Sequence, residues 1–169
     1  VEGNHARGHL NQRQIDVIKS EVLPNLEHRG YHNIGIITPY RDQVAAISSQ
    51  LSKDYEVATV HKFQGREKDA IILTSVDNAI TDFVDDPHML NVAVSRAVKS
   101  LSVIISQDPR NDKTNYGDLA RYIEYNNCEI INSAVFSVFD LLYKGYAEQR
   151  KQYLRKHKRV CEYDSENLM

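Results

Sequence analysis

Several kinds of chemistry are excluded by what this 169-residue chain does not contain. No apolar run approaches the roughly 20 residues that cross a bilayer, so no membrane-spanning helix is expected. Only two cysteines occur, Cys128 and Cys161, with neither CxxC nor disulfide-framework spacing. Reduced thiols in a cytoplasmic protein are the simplest reading. There is no GxxxxGKS or GxxxxGKT stretch, so the chain lacks a loop to cradle nucleotide phosphates and a lysine for the β and γ groups. An Asp-Glu pair of the kind that holds Mg²⁺ is missing too; Asp85-Asp86 precedes Pro87 and reads as a solvated turn. His5 and His9, and His28 and His32, have the i, i+4 spacing that binds metal on a helix. Neither pair has a third ligand nearby, and no metal site is expected. Internal repeats and low-complexity tracts are absent. The opening VEGNHARGHL has no initiator methionine and no signal-peptide pattern, and the expectation is a piece of a longer protein.

What is present is ordinary in bulk and uneven in detail. Apolar residues make up 41% and charged residues 26%, enough to bury one domain and carry an extension. The net charge of −2 does not advertise nucleic-acid binding, yet residues 144–160 hold seven Lys or Arg against one acid, Glu148. Within that run, 150–159 reads as the solvated face of a linker helix or as a track for a phosphate backbone.

Hydrophobic periodicity divides the chain. Ile15, Ile18, Val22 and Leu26 recur at helical spacing and predict a helix over 10–27, which Pro24 should shorten. IGIIT, 34–38, is a β-branched apolar run expected of a buried parallel strand. Residues 40–53 then read as a helix with Val44, Ile47 and Leu51 on one face. Further strands are predicted at 56–60, 70–76 and 101–106, with a helix at about 88–98. DLARYIEYNN reads as a short helix and CEIIN as a possible last strand. Alternating strands and helices imply right-handed crossovers: an α/β fold with a parallel sheet flanked by helices. After about residue 133 the pattern becomes long and helical. The expected organisation is a first domain over 1–132 and a helical connector over 133–169, leading to a missing downstream domain.

Three polar-edged segments carry the chemistry: IGIITPYRDQ, then VATVHKFQGREKDAIILTSV, then MLNVAVSRAVKSLSVI. In this order they resemble motifs IV, V and VI of superfamily 1 helicases, in particular the RNA-surveillance and senataxin-like branch. The likeness runs over about residues 3–107, and GNHARGHLNQRQ resembles the stretch preceding motif IV. The resemblance implies a RecA-like, P-loop NTPase-type domain, the second of two that close on ATP. The phosphate loop and the Mg²⁺ ligands would then lie in the first RecA-like domain of the same protein.

The resemblance puts Arg96 at the arginine-finger position, where a guanidinium stabilises charge spread over the transferred phosphoryl group. It puts Glu67 at the carboxylate that accepts from ribose hydroxyls, Gly65 where backbone approaches the phosphates, and Gln64 where nucleotide and nucleic acid are coupled. Arg66, Lys68 and Asp69 read as nucleotide neighbours or as exposed ion pairs. Thr38, Tyr40, Thr59 and His61 match positions facing single-stranded DNA or RNA, where hydroxyls and amides grip phosphates and an aromatic ring stacks. Tyr40 reads equally as a core residue capping its helix, Gln43 as nucleotide-proximal or exposed, and Asn91 as a buttress of its helix or a polar contact near the nucleotide. Two positions depart from the pattern: Ser95 replaces the commoner Thr, and Val98 replaces a commoner basic residue, a loss that Lys99 is placed to offset. The implied activity is an ATP-dependent motor moving 5′ to 3′. A regulatory ATPase switch, or a nucleic-acid-binding module without unwinding, would carry similar motifs.

Overall fold

The computed structural model describes residues 9–52, 54–63, 65–133 and 135, all within the first of two compact units, Val1–Val135. Its centre is a four-stranded, all-parallel sheet in the order β2-β1-β3-β4, with β1 at Ile34–Thr38, β2 at Glu56–Thr59, β3 at Lys68–Thr74 and β4 at Ala97–Ile104. β1 and β3 are the inner strands, and their sequences are accordingly apolar on both faces.

Alternation along those strands sorts the core into two layers. Ile34, Ile36, Ala70 and Ile72 face one way, against Ile15, Ile18, Leu23 and Leu26 of the first helical run and Ile47 of α3 (Arg41–Gln50). Ile37, Ile71 and Leu73 face the other way, against Phe63, Met89, Leu90, Ala93 and Tyr116. The latter come from a 3₁₀ turn at Val60–Phe63, from α4 (Pro87–Arg96) and from α5 (Asn115–Tyr125). Helices thus cover both faces of a parallel sheet, the α/β arrangement that the alternating pattern implies and the RecA-like one that the resemblance implies.

The differences from sequence-based expectation have local causes. Pro24 does not end its helix. α1 (Gln12–Val17) continues through a π-helical turn at Ile18–Val22 into α2 (Leu23–His28), with Pro24 in its first turn. The wider turn removes the need for a donor at Pro24 and relieves the clash of its ring with the preceding turn. β4 begins at Ala97, directly after α4, because its first residues are an exposed edge and show no apolar run. β3 stops at Thr74, two residues early, because Ser75, Val76 and Asp77 form a tight turn. CEIIN is not a strand: residues 128–132 are exposed and irregular. Asp85 and Asp86 do more than solvate a turn. Asp86 caps α4 by accepting from the His88 N–H at 2.8 Å, and the Asp85 carboxylate accepts from the Asn115 and Tyr116 N–H groups. Burial, with the nearby Asp85 charge, pushes the Tyr116 phenol well up. Among the described residues no helix is long and apolar enough to cross a membrane. The basic run 150–159 and all but Ser133 and Val135 of the expected connector lie outside the described residues.

Candidate functional site

The candidate residues collect at two opposite ends of the sheet. At the amino end, Lys68 of β3 pairs with Ala97 of β4. Glu67 and Arg96 are the residues just before those partners, so the register brings them to adjoining strand entrances. Open parallel sheets more often bind ligands beyond their carboxyl ends. Here these two groups stand at the other end, because each ends the crossover that feeds its strand.

Arg96 is the last residue of α4 and half-buried. Its Nε and Nη2 each donate to the Ser95 Oγ at 3.3 Å, and among the described residues no carboxylate pairs with it. The carbonyl end of α4 favours a cation there. Glu67 is exposed, and Gly65 before it has φ 82, a left-handed conformation that glycine adopts without steric cost. No heavy atom lies within 4 Å of where a Cβ would stand on Gly65, so the backbone faces open space. Gln64 lies outside the described residues.

The neighbouring charges are committed. Arg66 and Lys68 both pair with Glu56, the Lys68 Nζ at 3.0 Å. Burial pushes the Glu56 carboxyl up, but hydrogen bonds from Arg66 and Lys68 outweigh it and hold the group below its ordinary range. Lys99 Nζ lies 3.1 Å from Asp69, so its charge is already engaged. The ion-pair reading of Arg66, Lys68 and Asp69 is the one the geometry supports.

At the carboxyl end, Thr38 and Thr59 are register partners on β1 and β2. Thr38 is fully buried, and its Oγ1 meets no hydrogen-bond partner among the described residues. Thr59 is half-buried, and His61 is exposed on the 3₁₀ turn that follows. Tyr40 stands at the N-cap of α3. Its hydroxyl donates to the Asp77 Oδ2 at 2.7 Å, and its ring stacks on His9 with centroids 3.9 Å apart and planes at 8°. Phe83, 54% exposed, approaches the same ring at 5.4 Å. Burial, and then the hydrogen bond and charge of Asp77, push the Tyr40 phenol up to about 12.

Sequence reasoning passed over the polar cluster behind this edge. Asn11, Gln14, Gln43, Thr74, Ser75 and Asp77 are all buried. Gln43 is not an exposed helix residue: it is fully buried, its Oε1 accepting from the Asn11 N–H at 2.8 Å. Asn91, by contrast, is exposed on α4. A signal existed, because Asn11 and Gln14 precede Ile15 and Ile18 by four residues and so share the buried stripe of the helix.

A parallel α/β sheet covered by helices on both faces is the RecA-like arrangement, and Glu67 and Arg96 stand at adjoining strand entrances of it. Residues 2–108 match the family model described as an AAA domain (AAA_12), and the chain belongs to that family. The sequence is 39% identical over 106 residues to "Regulator of nonsense transcripts 1 homolog" of Arabidopsis thaliana, covering 55% of this chain and 8% of that protein. It is 40% identical over 106 residues to "ATP-dependent helicase upf1" of Schizosaccharomyces pombe, covering 55% of this chain and 10% of that protein. Identity to "Probable helicase senataxin" of Mus musculus is 34% over 109 residues, 57% of this chain and 4% of that protein. Its branch is therefore the RNA-surveillance and senataxin-like one, and the chain spans a tenth or less of the length of these relatives.

Proposed function

We propose that this chain is the second motor domain of an ATP-dependent superfamily 1 helicase, working on single-stranded DNA or RNA in the cytoplasm. The observation that carries this reading is the adjacency of Glu67 and Arg96, with the guanidinium unclaimed by any carboxylate among the described residues. ATP with Mg²⁺, held by the first RecA-like domain of the same protein, supplies the free energy of phosphoryl transfer. The open backbone at Gly65 leaves room for the nucleotide, the exposed Glu67 carboxylate accepts from its ribose hydroxyls, and Arg96 reaches the γ-phosphate. Gln64 joins this set by resemblance alone. The carboxyl end of the sheet forms part of the track: Thr59 and His61 toward phosphates, Tyr40 through its ring, and Thr38 by fixing the strand end behind them.

The test compares the intact protein with this chain alone. Nucleic-acid-stimulated ATP turnover and strand separation are expected from the intact protein, and no turnover from the isolated chain, which has neither phosphate loop nor Mg²⁺ ligands. Turnover by the isolated chain would contradict the half-site reading. ATP hydrolysis without strand separation would favour the regulatory switch. Glu67→Ala in the intact protein is expected to raise KM for ATP by roughly 10- to 100-fold, the loss of a charged hydrogen bond of about 1.5–3 kcal/mol, with kcat nearly kept. An unchanged KM would remove Glu67 from the site.

A further inference from the structure

The turn after β3 holds a backbone conformation its own residue does not favour. Val76 has φ 67, left-handed for a β-branched side chain, and is fully buried. The Asp77 N–H donates to the Ser75 carbonyl at 2.8 Å, closing a three-residue turn around Val76. With positive φ at its centre this is the rarer, strained form of γ-turn. Such strain persists only where the surroundings overdetermine it.

Here they do so from both sides. The Val76 N–H donates to the Gln14 Oε1 at 2.9 Å, and its carbonyl accepts from the Asn11 Nδ2 at 2.7 Å. Both amides are themselves fixed. The Gln14 Nε2 donates to Ser75 and Ser106 hydroxyls at 3.3 and 3.0 Å, and Thr74 donates to its Oε1. Asn11 accepts from the Gln14 N–H at 3.1 Å as the N-cap of α1, and its backbone exchanges hydrogen bonds with the Gln43 amide of α3. The residue this turn delivers is Asp77, whose carboxylate receives the Tyr40 hydroxyl at 2.7 Å and the Thr81 hydroxyl at 3.2 Å, with His9 Nδ1 at 3.9 Å.

We propose that Asn11 and Gln14 are positioning residues: they clamp the Val76 backbone in its left-handed turn and so aim Asp77 at Tyr40, fixing that ring on the nucleic-acid edge. The clamp joins α1 to the ends of β3 and β4, and through Gln43 to the helix that Tyr40 caps. Tyr40 is therefore oriented by residues that are themselves buried behind it. The proposal rests on the reading of Tyr40 as part of the track, and its test separates the two.

In the intact protein labelled with [¹³Cζ]tyrosine, the Tyr40 resonance is identified by its loss in Tyr40→Phe and its titration followed. Because Asp77 helps hold the phenol near 12, Asp77→Asn should lower its midpoint toward the ordinary value of about 10. Gln14→Ala should lower it in the same direction. So should the milder Asn11→Asp, which keeps the helix cap but loses the donor to Val76. Val76→Gly adopts positive φ freely, so Asn11→Asp in that background should have a smaller effect. Affinity for a fluorescent single-stranded oligonucleotide should fall about tenfold in Gln14→Ala and Asn11→Asp. A wild-type Tyr40 midpoint in both Gln14→Ala and Asn11→Asp overturns the clamp. A shifted midpoint with unchanged affinity upholds the clamp and overturns the track reading of Tyr40.

Discussion

Arg96→Ala in the intact protein is expected to lower nucleic-acid-stimulated ATP turnover by about 10³–10⁵-fold while leaving strand binding nearly intact. The size of the effect follows from where the charge is needed. Phosphoryl transfer leaves little covalent work to the protein, so a guanidinium aimed at the developing charge carries much of the stabilisation. Arg96 suits this because its contacts are weak: two 3.3 Å bonds to a neighbouring hydroxyl and, among the described residues, no carboxylate to surrender. The loss should fall on kcat rather than on KM for ATP, since the contact strengthens as the transition state forms. Arg96→Lys should recover little, because a point charge cannot reproduce the planar fork. Turnover within tenfold of wild type for Arg96→Ala would remove Arg96 from the chemistry and leave it as a helix-terminal cation.

The second large effect is expected far from any ligand. Phe63→Ala should destabilise the domain by about 3–5 kcal/mol, read as a lowered thermal midpoint of the intact protein's unfolding transition for this domain. Phe63 is fully buried at the end of the 3₁₀ turn, and it lies over Gly35, the second residue of β1. A Cβ on Gly35 would stand 2.4 Å from the ring's Cζ, so the absence of a side chain there is what lets the ring seat. Gly35→Ala should therefore destabilise in the same direction. The ring also anchors the segment from which the chain turns through Gly65 to Glu67. A Phe63→Ala protein that still folds should bind ATP more weakly although no ligand-facing atom has changed. An unaltered midpoint would mean that the ring is not the anchor its burial implies.

The strands and the buried faces were legible because their residues obey one period at a time. IGIIT and AIILT are continuous apolar runs, and they became the two inner strands. β4 was legible only in its second half, since its exposed entrance has no apolar signature. The π-helical turn before Pro24 was not legible, because the ring's clash is visible in sequence and its relief is not. Motif order singled out Glu67 and Arg96 as candidates, but not the end of the sheet they occupy, which depends on register. The amide cluster behind Tyr40 stayed hidden for a different reason. Single polar residues on an apolar stripe carry no sign of their partners, and here the partners lie 32 to 95 residues away. The left-handed Val76 is the least predictable feature, since nothing in its residue type favours that conformation.

The separation of the two edges has a mechanical consequence. Five residues of β1 divide them, a length of about 17 Å along the strand. On the proposed assignment the sheet acts as a stiff lever between fuel and cargo. A tilt of about 11° pivoting at the Arg96 end sweeps the Thr38–Thr59 end through roughly 3.4 Å, the rise of one stacked nucleotide. A stroke of that size needs no rearrangement inside the domain, only a change in its angle to the neighbour that holds the ATP.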